Sequence, residues 1–291
     1  MLTPARTDNE HLHATSLGGR VDGTTRARKA VRVSDGAGNF RVPPDAYERY
    51  MGRWSRSLAP AFADAVGVRA GDRVLDVGCG TGALATELVE RLGGAAVTAV
   101  DPSEPSVDAC AQALPDADVR VAAAESHPFP DDSFDAAMCQ LVLNFVPDAP
   151  AGVAEMRRVT RSGGTVAAAT WDYRDGMTML KAFWGAATAI DPAAPHEGGM
   201  PYCTLAELEA LWADTGLEEV DGGALVVQRT YADFDDLWEP FTFGVGPAGA
   251  YCVSLDPEQR EALRGECFRR LGEPGGALTL DGRAWFVHGT V

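Results

Sequence analysis

The sequence predicts an α/β fold in which a doubly wound, mostly parallel sheet carries helices on both faces. First, short apolar segments alternate with helical patterns from residue 73 to residue 172, as parallel sheets with crossover helices require. Second, three glycines at alternate positions follow the first apolar segment, where doubly wound sheets bind ligands. Third, 291 residues with 46% hydrophobic content suffice for one elaborated domain.

The N-terminal part divides into an arm and a helical segment. Residues 1–38 are polar, slightly basic and poor in apolar residues, which predicts a flexible arm. The alternative is an arm that folds over the body or over a partner subunit. In the following segment, residues 45–68, Tyr47, Met51 and Trp54 share one helical face. We expect two short helices there, broken near Pro60.

Strand and helix patterns then alternate as far as Asp172. The predicted elements are, in order, RVLDVG, a helix to about Leu92, AVTAVD, a helix over Ser106 to Ala113, VRVAAA, FDAAMCQ, a helix through AGVAEMRRV, and TVAAATWD. The apolar strands place their carboxyl ends at one edge of the sheet, where a ligand is expected.

The pattern becomes less regular after Asp172. A helix at TLAELEALWADTG, a strand at ALVVQRTY, a helix opening with Asp256 and Pro257, and a last strand at LTLDGRAWFVHGT are predicted. The organisation is then a core with N-terminal cap helices over residues 39–231, a helical insertion over 232–275, and a final core strand over 276–291. We expect the insertion to form a lid or substrate wall; a peripheral or dimer-forming appendage is the alternative.

Composition excludes several classes of protein. The 25 basic and 42 acidic residues give a net charge of −17, which disfavours nucleic-acid partners. The six cysteines show no CxxC spacing, so neither a zinc site nor a disulfide framework is indicated. No signal peptide or membrane-spanning segment is recognisable. A cytoplasmic, soluble protein with reduced thiols and no membrane association is therefore expected.

The glycine turn is the first candidate binding feature. Gly78, Gly80 and Gly82 form a GxGxG loop between a strand and a helix, where a ligand can approach the backbone closely. Asp76, at the strand end, can accept a hydrogen bond from a loop amide or a ligand ammonium. Asp101 ends the next strand, where a carboxylate can accept both hydroxyls of a ribose. NAD would use the same elements, so these features alone leave the nucleotide open.

Four segments in this order carry a family resemblance: VLDVGCGTG, AVDPSEPSV, AAAESHPFPDDSFDAAMCQLVLNFVPD and EMRRVTRSGGTVAAATWD. They resemble the class I S-adenosylmethionine-dependent methyltransferases, especially the small-molecule branch. The resemblance covers about residues 45–230. It implies a Rossmann-like, seven-stranded, mostly parallel sheet with a helical cap, S-adenosylmethionine as the cofactor with S-adenosylhomocysteine as its product, and no metal.

The resemblance also assigns cofactor-binding residues. The glycine loop would hold the methionyl part, Asp101 the ribose, and the loop after the third strand the adenine. The implied cofactor site comprises Tyr50, Arg53, Asp76, Gly78, Gly80, Asp101, Pro102, Ala124, Glu125, Gln140 and Leu141. The family commonly has an aspartate that bonds the adenine amino group where this chain has Ala123. We therefore expect weaker or differently anchored adenine binding.

Methyl transfer from a sulfonium depends chiefly on alignment, on a closed pocket and sometimes on a base. The candidate catalytic residues are Tyr50, whose aromatic face suits a cation, and His196, which can titrate near neutral pH. The expected acceptor pocket comprises Asn144, Trp171, Tyr173, Trp184 and Phe241. The alternatives are a surface histidine without function, a helix-terminal role for Asn144, and aromatic side chains that form ordinary core. An aromatic or hydrophobic acceptor is indicated.

The leading hypothesis is a methyltransferase that modifies carbon, nitrogen or oxygen of a small metabolite, in specialised metabolism. The second is a non-catalytic S-adenosylmethionine-binding or scaffold protein, encouraged by Ala123. An NAD-dependent oxidoreductase is disfavoured because the third glycine stands one place too early for a dinucleotide loop. A nucleic-acid methyltransferase is the least favoured reading. A small-molecule acceptor and a homodimer are expected as partners.

Overall fold

A computed structural model describes residues 44–291 of the chain. The predicted arm at residues 1–38 lies outside these residues. Within the described part, seven strands form one sheet with the order β3-β2-β1-β4-β5-β7-β6. The strands are β1 (Val74–Val77), β2 (Val97–Asp101), β3 (Asp118–Val121), β4 (Phe134–Gln140), β5 (Thr160–Trp171), β6 (Glu218–Tyr231) and β7 (Leu278–Thr290).

Helices flank this sheet on both faces. They are α1 (Pro44–Tyr47), α2 (Arg53–Val66), α3 (Ala83–Leu92), α4 (Glu104–Ala113), α5 (Ala149–Val159), α6 (Thr178–Ile190), α7 (Leu205–Asp214), α8 (Phe234–Trp238), α9 (Gly246–Ser254) and α10 (Pro257–Arg270). Short 3₁₀ turns lie at Gly94–Ala96, Leu143–Phe145, Glu197–Gly199 and Glu239–Phe243. None of the helices from residue 44 onward is both long and apolar enough to cross a bilayer.

The sheet is parallel from β3 to β5, and its last two strands are antiparallel. β1 pairs with β2 on one side and with β4 on the other, so the direction of winding reverses beside β1. β7 runs antiparallel to β5, and β6 runs antiparallel to β7. Ligands of doubly wound folds bind at such a reversal, outside the carboxyl ends of the strands. The Rossmann-like α/β fold thus places a site above β1 and β4.

Alternation along β1 assigns its residues to two cores. Leu75 and Val77 pack on the face covered by α5 and α7, whereas Val74 packs on the face covered by α2 and α3. Because side chains alternate along a strand, Asp76 lies on the same face as Val74. The carboxylate therefore points to the side of the sheet where α2 lies.

The expected break at Pro60 is wrong. α1, a π-helical turn at Glu48–Gly52 and α2 follow one another without interruption, and Pro60 lies inside α2. Proline removes one helical hydrogen bond, here to the carbonyl of Arg56. Leu58 and Phe62 on either side of it are fully buried. Their packing against the sheet outweighs the lost hydrogen bond, so the helix continues.

Three further element boundaries differ from the sequence prediction. β3 ends at Val121 and does not continue through the alanines, β6 begins at Glu218, and α4 begins at Glu104. Pro105 lies in the first turn of α4, where its missing N–H has no helical partner to lose. The antiparallel pairing with β7 extends β6 beyond the apolar segment that predicted it.

The segment between β6 and β7 carries α8, the turn at Glu239–Phe243, α9 and α10. Its aromatic rings pack against α6: the ring centroids of Phe241 and Phe183 lie 4.5 Å apart, and those of Trp238 and Phe183 lie 6.3 Å apart. A role for this segment as a lid stays a prediction.

Candidate functional site

The glycine loop connects β1 to α3 in a conformation that favours glycine. Gly78, Gly80 and Gly82 have φ values of 77°, 54° and 94°. The amides of Gly78 and Cys79 donate to the carbonyl of Val100, at 2.7 and 2.9 Å. These bonds hold the loop against the end of β2, so the glycine loop and Asp101 stand side by side.

Gly78 is also required by its surroundings. A Cβ at this position would lie 2.5 Å from Cγ2 of Val142, which follows β4. By contrast, a Cβ at Gly80 would meet nothing within 4 Å, so only its φ opposes a side chain there. The loop thus brings backbone close to the end of β4 at Gly78 and leaves open space at Gly80.

Asp101 is held by two backbone amides. Its Oδ2 accepts from the amide of Gly80 at 2.9 Å, and its Oδ1 accepts from the amide of Ser103 at 2.8 Å. Burial raises the pKa of this carboxyl group, and the two amide bonds oppose the rise. The group is therefore oriented beside the glycine loop, and each oxygen retains a lone pair for a ligand donor. Pro102, next in the chain, is exposed.

Asp76 is a buried acid with an unused oxygen. Burial raises its pKa to about 7; a hydrogen bond from the amide of Ala85 opposes this, and the charge of Asp101 adds to it. Among the described residues, Oδ2 of Asp76 has no hydrogen-bond partner. A buried acceptor without a partner costs free energy, so Asp76 presents a place for a ligand donor such as an ammonium group.

The N-terminal helical segment covers the loop. The carboxylate of Glu48 accepts a hydrogen bond from the hydroxyl of Thr81 in the glycine loop, and it pairs with Arg56 at 2.9 Å. The carbonyl of Ser55 accepts from Nε2 of Gln140 at 3.1 Å. The cap segment is therefore bonded both to the glycine loop and to the end of β4.

Gln140 and Leu141 close β4 in a strained turn. Oε1 of Gln140 is buried and has no partner within the described part of the chain. Leu141 has φ of +65°, which is rare for a leucine, and its amide donates to the carbonyl of Ala169 at 2.7 Å. The side-chain amide of Gln140 is thus bonded to Ser55, and its oxygen stays available to a ligand donor.

Asn144 lies beyond the same turn. Its side-chain amide donates to the carbonyl of Pro201, and its Oδ1 is buried without a partner in residues 44–291. Three buried acceptor oxygens, those of Asp76, Gln140 and Asn144, thus stand at the carboxyl ends of β1 and β4 with capacity for ligand donors.

The loop after β3 carries the residues predicted to enclose adenine. It is tied to β2 by the amide of Ala122, which donates to the carbonyl of Asp101 at 3.1 Å, and it turns through a bridge between Ala123 and Ser126. Ala124 is half-buried, and Glu125 accepts from the amide of Asp148 at 3.3 Å. The loop therefore lies beside Asp101, and the backbone groups of the loop are available to contact a ligand.

Arg53 does not stand free for a ligand carboxylate. Its guanidinium pairs with Asp236 of α8 at 2.7 Å and lies 5.7 Å from the ring centroid of Tyr231. A contact between Arg53 and a ligand carboxylate would therefore compete with this ion pair. The location of Arg53 instead links the cap to the segment between β6 and β7.

The predicted acceptor residues separate into two groups. Tyr173, Trp184 and His196 line a pocket of about 500 Å³ beside α6, with His196 exposed at its edge. Trp171 and Phe241 are 1% and 0% exposed and belong to the hydrophobic core. Their role as a wall of the acceptor pocket stays a prediction; in the structure the packing of α2 and α6 covers their rings.

Tyr50 is buried against the segment between β6 and β7. Its ring meets the ring of Phe241 edge to face, with centroids 5.3 Å apart. Phe241 stacks on Phe183, and the ring centroids of Phe183 and Trp184 lie 5.0 Å apart. This chain of rings joins the cap to α6.

Glu197 was not among the predicted site residues. It is 3% exposed, and its Oε2 accepts a hydrogen bond from Nε1 of Trp184 at 2.7 Å. Burial raises its pKa to about 7, which the Trp184 bond opposes. The local sequence PHEGGM gives no indication that Glu197 is buried. Its burial results from contact with Trp184 of α6, which precedes it by thirteen residues.

No group of three or more His, Cys, Asp or Glu side chains within residues 44–291 is arranged to hold a metal ion. The six cysteines are buried and free.

Comparison with known proteins supports the resemblance to methyltransferases. A family model described as a methyltransferase domain matches residues 75–168, which run from β1 through β5. An uncharacterised methyltransferase of Mycobacterium tuberculosis is 41% identical over 137 residues, which are 47% of this chain and 53% of the relative. Residues 75–168 therefore match a methyltransferase domain, and the chain is similar to class I S-adenosylmethionine-dependent methyltransferases.

A second relative is the demethylmenaquinone methyltransferase of Beutenbergia cavernae, 37% identical over 141 residues, or 48% of this chain and 56% of the relative. The chain spans about half the length of the curated relatives that it matches. A solved structure from an antibiotic biosynthesis pathway of Anabaena variabilis matches with a TM-score of 0.58 and 18% identity, covering 81% of this chain and 99% of that one. This likeness supports the fold alone.

The residues of the candidate site fit an adenosyl ligand. The free oxygen of Asp76 suits the ammonium of a methionyl group, and Asp101 has lone pairs for ribose hydroxyls. The open space at Gly80 leaves room for a ligand against the backbone.

Proposed function

We propose that this methyltransferase transfers the methyl group of S-adenosylmethionine to a small, aromatic or hydrophobic acceptor. The observation that carries the proposal is the group of unpartnered buried oxygens of Asp76, Gln140 and Asn144 beside the glycine loop and Asp101. Such oxygens are rare in folded proteins unless a ligand or water satisfies them.

The residues divide the work of binding. Asp76 would bind the ammonium group of the methionyl part. The backbone of Gly78 and Gly80 would lie against the same part of the ligand, and Asp101 would bind the ribose. Backbone groups of Ala124 and Glu125 would face the adenine. When bound, S-adenosylmethionine supplies a methyl group on a positively charged sulfur, a carbon that is already activated for displacement. The protein then has to align the acceptor and exclude water, and the proposal includes no metal.

The acceptor would lie between the cap, the end of β5 and α6. Tyr50, Tyr173 and Trp184 provide aromatic surfaces there, and Tyr173 and Trp184 line the pocket of about 500 Å³. The size is within the range of small-metabolite pockets, and the lining also includes the cationic side chains of Arg174, Lys181 and Arg270. The demethylmenaquinone methyltransferase among the relatives is consistent with a flat, hydrophobic acceptor.

The test is calorimetric titration of the purified chain with S-adenosylmethionine, S-adenosylhomocysteine and NADH. We expect both adenosyl ligands to bind with a Kd on the order of micromolar, and NADH not to bind. Binding of NADH alone, or of none of the three, would contradict the proposal.

Ala123 favours one second candidate, a non-catalytic S-adenosylmethionine-binding protein. The methyl group of alanine cannot bond the adenine amino group, so adenine would be held by backbone alone. This candidate predicts that both adenosyl ligands bind and that no acceptor in a panel of phenols, amines and thiols is methylated. Methylation of any of them would exclude it.

A further inference from the structure

We propose that Glu197 is the catalytic base of the acceptor site, which removes the proton from a phenolic hydroxyl whose oxygen receives the methyl group. This inference rests on the proposed function and names its acceptor class. It assigns the base to a residue beside His196.

The carboxylate of Glu197 has no cationic partner among the described residues. Glu197 is buried, and its one hydrogen bond in the described chain comes from Trp184. None of the ion pairs within residues 44–291 includes Glu197, and no cation contributes to its pKa. A buried acid without a cation is costly to keep ionised, so a purely structural role would be served better by an uncharged side chain.

The carboxylate of Glu197 interacts electrostatically with the hydroxyl groups of Tyr50 and Tyr173. The charge of Glu197 raises the pKa of both Tyr50 and Tyr173, after the larger effect of burial, so both hydroxyls lie near it. Neither hydroxyl makes a hydrogen bond to another described residue, unlike the hydroxyl of Tyr231, which accepts from Trp54 at 2.9 Å. Two tyrosine hydroxyls with unused hydrogen-bonding capacity are therefore electrostatically coupled to Glu197, whose carboxylate is fixed by Trp184.

The surroundings of these polar groups are aromatic. The rings of Tyr50, Phe241, Phe183 and Trp184 form the chain described above, and the ring of Tyr251 lies 5.6 Å from that of Trp184. Other titratable groups that act on these tyrosines are Cys252 and Tyr231 for Tyr50, and Cys203 and Tyr47 for Tyr173. Flat walls with a carboxylate between them suit a planar acceptor that carries a hydroxyl group.

Glu197 is better placed for this role than His196. The imidazole of His196 is exposed beside the pocket, whereas the carboxylate of Glu197 is buried and accepts a hydrogen bond from Trp184. A base must reach the proton that it removes, and Tyr50 belongs to the cap that covers the cofactor loop.

Methyl transfer to the acceptor oxygen is accompanied by loss of the hydroxyl proton. The hydroxyl proton of the acceptor moves to the free oxygen of Glu197, and the acceptor oxygen forms a bond to the methyl carbon. The bond between that carbon and sulfur breaks, and its electron pair stays on sulfur, which becomes a neutral thioether. Glu197 then releases the proton to solvent. No oxidant, reductant or metal is needed.

Binding provides the first test. Wild type, Glu197→Gln and the control Glu90→Gln, an exposed acid at the end of α3, are titrated with S-adenosylhomocysteine, and we expect equal affinities within about twofold. The complexes are then titrated with 2-naphthol and with 2-methoxynaphthalene, which lacks the hydroxyl proton. Wild type and Glu90→Gln should prefer 2-naphthol by about tenfold or more, and Glu197→Gln should lose most of this preference.

Turnover provides the second test. With S-adenosylmethionine and 2-naphthol, Glu197→Gln should be slower by roughly 10² to 10⁴-fold, the usual contribution of a base. The wild-type rate should rise with pH to a plateau, and the variant should lose this rise. The acceptor 4-nitrophenol, largely ionised at about pH 8, needs no base and should be methylated by the variant within about tenfold of wild type.

A third variant guards against a merely structural effect. Trp184→Phe removes the hydrogen bond that holds down the pKa of Glu197, so its pH profile should shift upward. Equal rates of wild type and Glu197→Gln, an unchanged preference for 2-naphthol, or absence of 2-naphthol binding with S-adenosylhomocysteine binding intact would each overturn the inference. Failure of wild type to bind S-adenosylhomocysteine would instead contradict the proposed function.

Discussion

At the scale of single residues, Asp101 shows how one side chain can organise a loop and remain available to a ligand. Its two oxygens accept from the amides of Gly80 and Ser103, which fixes the carboxylate in one orientation. A hydroxyl donor that arrives later meets an acceptor whose conformational freedom is already lost. This preorganisation reduces the entropic cost of binding.

Asp101→Ala should therefore weaken the binding of S-adenosylhomocysteine by roughly 10- to 150-fold, since hydrogen bonds to a charged group contribute about 1.5 to 3 kcal/mol. Isothermal titration calorimetry measures the change. The matched control is Asp108→Ala, which removes an exposed acid from the neighbouring α4 and should leave the affinity unchanged. Equal affinities of Asp101→Ala and wild type would refute the ribose assignment.

Gly78 sets a steric limit on the same loop. Gly78→Ala should destabilise the chain by roughly 2 to 4 kcal/mol, because the new Cβ meets Val142 and the backbone keeps a positive φ. Adding Val142→Ala should recover part of this loss. Gly80→Ala, with open space around it, should cost only about 1 to 2 kcal/mol. Urea denaturation measures the free energies of unfolding, and a Gly78→Ala variant as stable as Gly80→Ala would contradict the steric account.

Residues in regular elements were easier to place from sequence than residues in loops. Asp76 and Asp101 follow apolar strands, so periodicity alone puts them at the carboxyl edge of the sheet. Glu197 lies in an irregular segment, and its burial depends on Trp184 of α6, a contact that no local pattern encodes. Arg53 shows the converse failure: the helical face was predictable, but the ion pair with Asp236 was not, because Asp236 follows it by most of the length of the chain.

At the scale of elements, the cap is a single helical segment that crosses the carboxyl edge of the sheet. Its contacts are of two kinds: polar bonds from Glu48 and Ser55 to the loops, and apolar packing of Trp54, Leu58 and Phe62 against the sheet. Proline is a strong local signal for a helix end, yet here the buried face decides the outcome. Helical stability in proteins depends mostly on such packing.

Pro60→Ala should stabilise the chain by roughly 1 to 3 kcal/mol, because it restores an N–H donor for the carbonyl of Arg56 and removes the ring from the helix interior. Differential scanning calorimetry of the variant should show a higher Tm. The control is Ala61→Gly in the same helix, which should lower the Tm. A lower Tm for Pro60→Ala would mean that the proline ring itself is needed for packing.

At the scale of the whole molecule, two acids whose pKa values are raised to about 7 lie inside a protein of net charge −17. The pKa of Asp76 rises from 3.8 to about 7, and that of Glu197 rises from 4.5 to about 7, in both cases chiefly through burial. The folded state thus holds protons that the unfolded state has already released. Without a ligand, stability from these groups is complete at low pH and is lost as the pH rises toward about 7.

Comparison of wild type with Glu197→Gln isolates one of these groups, since Asp76 is present in both. The free energy of unfolding of wild type relative to the variant should fall by roughly 3 kcal/mol as the pH rises from about 4.5 to about 7, and then level off. Urea denaturation of the ligand-free proteins at several pH values measures it. Glu90→Gln should show no such slope, and a difference that is flat or rises with pH for Glu197→Gln would contradict the burial of an unpaired acid.

The order of strands in the sheet has a consequence for how the chain is assembled during synthesis. Within the described part, β6 pairs with β7 alone, and β7 separates it from β5. When β6 leaves the ribosome, its place on the sheet does not yet exist, because the strand that will lie between it and β5 has not been made. The parallel half can form early, whereas β6 and α8 to α10 must wait for β7. Nascent chains that stop before β7 should therefore expose the apolar edge of β5 and depend on chaperones.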